Sequence, residues 1–215
     1  MTQTRSCTLK LRARGPLACF TRPELKVERV SYPVMTPSAA RGLLEAVLWK
    51  PAILWHIERI RVLKEIKFTS FRRNELSTRA VSPAATIVDG GGRVDHYFIE
   101  DDRAQRNTVA LSDVDYIIEA YFTLTDKAGS DDNVKKFEEM FERRVEKGQY
   151  FHHPYFGCRE FVADIMPTTN AMHSIQTTRD LGLMLWDVRY NEKRNEPIYF
   201  SALLKEGVLE VPVNL

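Results

Sequence analysis

The stretch "TPSAARGLLEAVLWKPAILWHIERIRVLKEIKFTSF", residues 36–71, decides the fold because its hydrophobic period changes half-way along. In the first part Thr36 can cap a helix, Pro37 suits the first helical position, and apolar residues recur at helical spacing until Pro51. Residues 52–71 instead alternate apolar and polar side chains for most of their length. That period predicts one long strand or a bent pair of strands after the helix.

Further strands are predicted on both sides of this stretch. Residues 7–14 alternate in the same way, and Gly15-Pro16 is expected to end that strand. Residues 108–126 and 154–167 also have the β-branched and aromatic composition of strands.

A second helix is predicted between the last two of these strands, in "DNVKKFEEMFERRVEKGQ", residues 132–149. Its apolar residues recur at intervals of 3 and 4, which places them on one helical stripe. Asp131 and Asp132 suit the positive N-terminal end of a helix, and Lys147 with Gly148 suits the C-terminal end.

The predicted order is strand, helix, strand, strand, helix, strand, which is the split βαβ, or ferredoxin-like, arrangement with an antiparallel sheet and both helices on one face. Residues 77–107, which include three successive glycines, are predicted to form a β-hairpin insertion or a loop. Strands at 181–190 and 196–212 predict a small C-terminal antiparallel β module. The expected fold class is therefore α+β, with a ferredoxin-like domain at 1–167 and the β module at 168–215.

Composition narrows the class of protein. A hydrophobic content of 44% and a charged content of 28% are typical of a soluble globular protein. No apolar run approaches the ~18 residues that a membrane span needs, and the first residues contain no apolar signal core. A cytoplasmic location is expected. The 3 cysteines have no CxxC spacing, so they are interpreted as reduced and structural.

The net charge of +2 conceals a strong asymmetry along the chain. Residues 1–79 contain 16 Lys+Arg against 6 Asp+Glu, a net charge of +10, whereas residues 80–215 contain 15 against 23, a net charge of −8. A basic half favours an anionic partner, of which nucleic acid is the commonest. The alternative is that the two halves neutralise each other across an internal interface.

Metal and cofactor sites are not predicted. His152 and His153 are the only adjacent histidines, and neighbouring residues diverge on a strand, so they make a poor chelate. The glycines of "DGGGR", residues 89–93, lack the GKS or GKT of a phosphate-binding loop. Neither a metal nor a cofactor is expected.

The basic surface is the remaining candidate site. Cations bind phosphates without regard to base sequence, and aromatic rings can stack unpaired bases. Phe20, Tyr32, Trp49 and Phe71 lie among these cations, although Trp49 and Phe71 sit in apolar patterns typical of a core. The predicted RNA-binding residues are Arg22, Lys26, Arg29, Lys50, Arg72, Arg73 and Arg159.

Three segments resemble the CRISPR-associated Cas five family in its type I-C form. They are "CFTRPELKVERVSYPVMTPSAARGLLEAVLWKPAI" at 19–53, "FRRNE" at 71–75 and "GCREF" at 157–161. The resemblance covers roughly residues 5–210, and its first block is long and specific. It implies a ferredoxin-like domain with a hairpin insertion and a C-terminal β module.

The resemblance also implies a function, that of a repeat-processing endoribonuclease. Such a protein binds the CRISPR repeat hairpin, cuts the precursor transcript at its base without a metal, and stays on the 5′ handle of the guide RNA in a multisubunit surveillance complex. The expected partners are therefore repeat RNA, as precursor and as mature guide, and the other subunits of that complex, with no membrane. Binding of double-stranded DNA is a third interpretation of the charge on residues 1–79.

The implied reaction is attack of the RNA's own 2′-hydroxyl on the adjacent phosphate, which leaves a 2′,3′-cyclic phosphate and a 5′-hydroxyl. The protein must orient that hydroxyl, help to move its proton and stabilise charge on the phosphorane. In the family, a Tyr at the end of the first helix and a Lys-His pair on the second helix correspond to these tasks. The pair falls on Lys135 and Lys136, the predicted catalytic residues, and the Tyr falls on Leu48.

This sequence departs from the family pattern at two positions. Leu48 cannot transfer a proton, and Lys136, which stands where the His would be, normally carries its proton at pH 7. Binding with slow cleavage, or cleavage through a rearranged site, is expected. Lys136, His152, His153 and Tyr155 are the candidate substitutes, and the sequence does not choose among them. The alternative function is a binding and scaffold subunit that has lost catalysis.

Overall fold

The computed structural model describes residues 4–25, 27–78, 82, 84–91, 98–169, 171–190 and 195–213. Within these residues a nine-stranded sheet carries three α-helices and one short 3-10 helix. In chain order the elements are β1 (Leu9–Ala18), β2 (Arg29–Val30), α1 (Pro37–Val47), β3 (Ile53–Val62), β4 (Phe68–Leu76), α2 (Ala85–Asp89), the 3-10 helix (Ile99–Asp102), β5 (Arg103–Leu124), α3 (Val134–Glu146), β6 (Asp164–Met166), β7 (Arg179–Tyr190), β8 (Asn195–Lys205) and β9 (Val208–Glu210).

The sheet is mostly antiparallel and is organised around β5. Its strand order is β6-β1-β5-β3-β9-β8-β7, and β2 and β4 pair with β5 outside this path. The second half of β5 lies between β1 and β3, whereas its first half pairs with β4, from Leu76 opposite Arg103 to Phe68 opposite Leu111. A large antiparallel sheet with few helices confirms the α+β class.

Both long helices pack on the same face of the sheet. The ring of Trp55 in β3 lies 5.0 Å from the ring of Phe141 in α3, in a tilted arrangement, and the indole N–H of Trp55 donates to the carbonyl of Leu48 at the end of α1, at 2.9 Å. Phe122 of β5 and Phe137 of α3 complete this aromatic layer, at 6.2 Å between ring centroids. Burial of such side chains, at ~1.5–3 kcal/mol each, is what fixes the helices on the sheet.

The expected helix signals are confirmed in α1. The Thr36 hydroxyl accepts a hydrogen bond from the Ala39 amide at 3.3 Å, and Pro37 is the first helical residue. Residues 52–71 form a pair of strands rather than one long strand. They divide into β3 and the start of β4, which both pair with β5.

Asp131 and Asp132 lie immediately before the N-terminal end of α3, where the sequence placed them. Asn133, rather than either preceding aspartate, is the N-cap, and its side chain accepts a hydrogen bond from the Lys136 amide at 2.9 Å. The predicted C-terminal end is confirmed, since Gly148 has a φ of 61° and follows Lys147, the C-cap.

Two strand boundaries were predicted wrongly. Only Asp164–Met166 of the segment 154–167 is a strand, because its earlier part folds tightly against Cys19: a Cβ on Gly157 would lie 2.1 Å from the Cys19 carbonyl oxygen. Gly15-Pro16 does not end β1, which continues to Ala18. Pro16 has no partner in the pairing register with β5. Because a proline removes only its own N–H from the ladder, the strand can continue on its other side.

The C-terminal strands extend the same sheet. β9 pairs with β3 as well as with β8, and the turn at Glu206 and Gly207 has positive φ at both residues, 49° and 73°. Leu181 and Met184 belong to the same buried cluster as Leu11 of β1.

The division at residue 167 stays a prediction, and the predicted insertion at 77–107 lies partly outside the described residues. Of the helices described, none is long and apolar enough to cross a membrane.

Candidate nucleic-acid interface

The C-terminal end of α1 is fixed by residues from elsewhere in the chain. The Phe151 amide donates to the Ala46 carbonyl at 2.7 Å, and the Arg144 guanidinium donates to the Val47 carbonyl at 2.6 Å. These bonds satisfy two of the carbonyls that a helix end leaves free. Leu48, the position corresponding to the family Tyr, is fully buried. The next two residues, Trp49 and Lys50, are exposed.

The predicted catalytic lysines lie in the first turn of α3. Lys136 forms an ion pair with Asp132, with 2.9 Å between Nζ and Oδ1, and Asp132 also accepts a hydrogen bond from the Gly129 amide at 3.0 Å. The side chain of Lys135 is 82% exposed and lies 3.8 Å from Glu139. Exposed pairs of this kind contribute only about 0.3–0.5 kcal/mol, so both ammonium groups can exchange partners readily.

Lys50 joins the same corner of the molecule. The hydrogen bond from Lys136, then that from the Gly129 amide and, more weakly, the charge of Lys50 hold the pKa of Asp132 below its usual value. The Thr125 amide donates to the Ala52 carbonyl at 2.9 Å, which fastens the chain after α1 to the turn before α3. We call Lys50, Lys135 and Lys136 the lysine corner.

The predicted RNA-binding arginines on the opposite part of β5 have a different environment. Arg29 forms ion pairs with Glu75 at 3.0 Å and Glu160 at 2.8 Å. Arg73 also contacts Glu160, and its Nε donates to the Thr108 hydroxyl at 3.2 Å. Although burial favours the neutral acid, the bond from Arg73 and the charge of Arg29 lower the pKa of Glu160. We call Arg29, Arg73, Glu75 and Glu160 the arginine cluster.

The other predicted RNA-binding residues are distributed around this cluster. Arg72 and Arg159 are exposed. Arg22 lies 3.4 Å from Glu24 and 4.5 Å from the centroid of the Tyr32 ring. Lys26 lies outside the described residues.

The structure does not bring the lysine corner and the arginine cluster into one pocket. Arg29 pairs beside Thr108 of β5, whereas the lysine corner lies beyond Leu124, the last residue of that strand. At about 3.3 Å per residue, the strand between Thr108 and Leu124 extends for up to about 50 Å. The two groups are therefore separate parts of the protein surface.

Of the four aromatic residues that sequence reasoning placed among the cations, two are in the core, Phe71 is partly buried and Trp49 is exposed. Phe20 is 2% and Tyr32 0% exposed, so neither is available to stack a base. Trp49 is the opposite case, because it is 59% exposed although its pattern suggested a core residue. Tyr150 and Phe151, which were not singled out, are 43% and 83% exposed. The signal that could have found them is the acid-free, aromatic run "KGQYFHHPYFGCR" at 147–159.

Three of the four candidate substitutes, His152, His153 and Tyr155, lie along this same run, and the fourth, Lys136, lies in α3. His152 is exposed. His153 stacks against Tyr150, with 4.9 Å between ring centroids, and its Nδ1 lies 3.1 Å from the Pro154 carbonyl. Tyr155 forms an isolated β-bridge with Val162. The choice among these residues stays open.

A pair of cysteines borders the arginine cluster. The Cys158 thiol lies 3.7 Å from the Cys19 carbonyl and 3.9 Å from a guanidinium nitrogen of Arg29. The neighbouring Cys19 side chain, assisted by the charge of Arg29, lowers the pKa of Cys158 to about 7. All 3 cysteines are free thiols, and no cluster of potential metal ligands is found among the described residues.

Comparison with known proteins identifies the family. The family model described as "CRISPR-associated protein (Cas_Cas5)" matches residues 8–212. A protein from Mannheimia succiniciproducens named CRISPR pre-crRNA endoribonuclease Cas5d is 49% identical over 214 residues, covering 95% of this chain and 94% of that protein. A protein of the same name from Thermus thermophilus is 41% identical over 222 residues, covering 95% and 91%.

Solved structures share the fold. A structure described as a CRISPR-associated protein gives a TM-score of 0.72 at 22% identity, covering 99% of this chain and 95% of the other. A functionally uncharacterized protein from Streptococcus mutans gives a TM-score of 0.69 at 21% identity, covering 97% and 93%. A chain of a CRISPR RNA-guided surveillance complex gives 0.54 at 13% identity, covering 96% and 91%. Because the family match spans almost the whole chain and both relatives are similar over nearly their full lengths, this chain belongs to the CRISPR-associated Cas5 family.

Proposed function

We propose that this protein is a CRISPR endoribonuclease that binds the repeat hairpin of the precursor transcript, cuts it without a metal ion, and remains on the guide RNA. The observation that carries this proposal is its identity of 49% and 41%, over nearly complete lengths, to two proteins named pre-crRNA endoribonucleases. Its partners are then repeat RNA and the other subunits of a surveillance complex. The cytoplasmic location expected from the sequence stays a prediction.

A ferredoxin-like core is part of the proposal. It is supported by the strand order β6-β1-β5-β3, which is the fourth, first, third and second strand of that motif, with α1 and α3 at the two helix positions. We propose that this core occupies residues 1–167 and that the strands of residues 168–215 form an added β module.

The lysine corner is the proposed place of cleavage. Lys135 and Lys136 are two mobile cations at the positive end of α3, where they can stabilise the charge that develops on a phosphorane. Asp132 restrains Lys136 in the absence of RNA, and a phosphate that enters can replace the carboxylate as its partner. Proton transfer from the 2′-hydroxyl would fall to Lys136 itself or to His152, His153 or Tyr155 of the segment that begins at the other end of α3.

Single-turnover cleavage in EDTA tests the function. Protein in excess over its own repeat RNA is expected to release a fragment with a 2′,3′-cyclic phosphate, which periodate oxidation and mass spectrometry identify. A hairpin that is bound but uncut at every protein concentration would contradict the proposed catalysis.

Matched lysine variants test the assignment of the site. Lys135→Ala and Lys136→Ala are each expected to slow cleavage at least tenfold, since each removes an interaction with transition-state charge. Lys205→Ala, which removes an exposed lysine of β8, should cleave at the original rate. Cleavage rates that are unchanged in both α3 variants would exclude this site.

A scaffold that binds RNA without cutting it is the second candidate function. It is favoured by one observation, the complete burial of Leu48 where the family places a Tyr. Cleavage at ordinary rates by the isolated protein would exclude this alternative.

Binding of double-stranded DNA is tested by the same protein preparation. Contacts between cations and phosphates weaken steeply as salt rises, because condensed counterions are released on binding. An affinity for duplex DNA that does not change with salt would exclude binding through the basic residues.

A further inference from the structure

Three exposed aromatic rings surround the last turn of α1. Phe151 is 83%, Trp49 59% and Tyr150 43% exposed. We call these three residues the aromatic edge. Large rings are usually buried, because they have more apolar surface to remove from water than other side chains. Three of them left in solvent around one helix end therefore point to an interaction surface.

The backbone that carries the aromatic edge is held firmly in place. The Gln149 amide donates to the Arg144 carbonyl at 2.8 Å and the Gly148 amide to that of Val145 at 3.2 Å, which is the double hydrogen bond of a Schellman motif. The chain then returns to α1, where the Phe151 amide bonds Ala46 at 2.7 Å. Rings on a fixed backbone lose little entropy when a ligand stacks on them.

The charge around the aromatic edge suits a polyanion. Residues 147–159 contain Lys147, Arg159 and two histidines but no aspartate or glutamate. Lys50 follows Trp49 directly and belongs to the lysine corner. The nearest acid of α1, Glu45, is half-buried and pairs with Arg41 of the same helix at 3.6 Å.

Rings bordered by cations are the arrangement that binds single-stranded nucleic acid. The rings stack on the bases, because the base of every nucleotide has a π-face. The cations contact the phosphates. A protein segment made of acidic residues alone would use the cations and leave the rings without a partner, whereas each nucleotide supplies both a base and a phosphate. The combination therefore favours RNA over protein as the occupant.

We propose that the aromatic edge binds unpaired nucleotides that flank the repeat hairpin and leads that single strand to the lysine corner. The inference rests on the RNA-binding function proposed above and adds the chemical class of RNA that this surface takes. It assigns Trp49, Tyr150 and Phe151 as RNA-binding residues.

The test measures affinity for a fluorescein-labelled oligouridylate, which has no hairpin. Phe151→Ala and Trp49→Ala are each expected to weaken binding about fivefold to tenfold, the fold-change of one lost base stack. Phe151→Tyr keeps a ring and should retain the original affinity. Leu183→Ala is the control, because Leu183 is equally apolar and 65% exposed on β7.

A spectroscopic readout separates stacking from a general effect on structure. RNA with 2-aminopurine beside the hairpin should lose fluorescence on binding to the original protein and keep it with the Phe151→Ala variant. Oligouridylate affinities within twofold of the original in both alanine variants would overturn the inference and leave the edge as a protein-contact surface. If the original protein binds no repeat RNA at all, it is the proposed function that fails.

Discussion

The arginines of the arginine cluster and the lysines of the lysine corner carry the same charge but have different partners in the folded protein. In the arginine cluster, Arg29 and Arg73 share Glu160, which is 131 residues away from Arg29 along the chain. In the lysine corner, the carboxylate partners are four residues away on or beside the same helix, and the side chain of Lys135 remains 82% exposed. The cluster is therefore mainly part of the structure, whereas the corner remains available to a ligand.

The largest effect is expected from reversing charge in the lysine corner. The variant Lys50→Glu with Lys136→Glu should bind repeat RNA about 100-fold more weakly, because two attractive phosphate contacts become repulsive. The slope of log affinity against log salt should become shallower by about 1.5–2. Fluorescence anisotropy at several salt concentrations measures both quantities. An unchanged slope would mean that RNA does not contact this corner.

A change in the arginine cluster should act on stability instead. Arg73→Ala removes the hydrogen bonds to Glu160 and Thr108 and the contact with the Phe71 ring, so the free energy of unfolding should fall by about 1–3 kcal/mol. Urea denaturation measures this change. The exposed neighbour provides the control, since Arg72→Ala should change stability by no more than about 0.5 kcal/mol. Equal stability of the two variants would contradict the claim that the arginine cluster stabilises the fold.

The cysteine beside the arginine cluster reports on its electrostatics. The Cys19 thiol and then Arg29 favour the thiolate of Cys158, whose pKa is lowered to about 7. Because the thiolate is the reactive form, alkylation of Cys158 by iodoacetamide should be half-maximal near pH 7 and fall as the pH decreases below it. Burial first, and then Glu138, raises the pKa of Cys7 to about 11, so that thiol should react only at high pH. Peptide mass spectrometry distinguishes the sites, and a midpoint near pH 9 for Cys158 would contradict this environment.

The smallest effect is expected at the ion pair within the lysine corner. Asp132→Asn removes the carboxylate partner of Lys136 and should leave the free energy of unfolding almost unchanged, as for other exposed pairs. Repeat RNA should bind about twofold to threefold more tightly, since Lys136 no longer leaves a carboxylate. Weaker binding would show that Asp132 helps to orient the lysine.

The local parts of this fold could be predicted from the sequence. Thr36 and Pro37 define the start of α1, and Lys147 with Gly148 ends α3 as predicted. These features depend on neighbouring residues. The segment 154–167 was predicted wrongly because its course depends on contact with Cys19, a residue far away in the sequence.

The site was harder to predict for the same reason. A count of cations predicted Arg29 and Lys50 equally, but only the fold supplies carboxylates to Arg29 and leaves Lys50 exposed. Hydrophobic pattern alone could not show that Trp49 lies outside the core, because its environment depends on where the chain turns after Leu48. Phe151 was missed because its exposure depends on a hydrogen bond to α1.

Lysine footprinting tests most directly the claim that RNA contacts the lysine corner. Free protein and its complex with repeat RNA are treated with an acetylating reagent, and each lysine is quantified by mass spectrometry. The account predicts that RNA protects Lys50, Lys135 and Lys136 at least fivefold and leaves Lys205 of β8 unprotected. Acetylation of all three corner lysines at the same rate with and without bound RNA would contradict it.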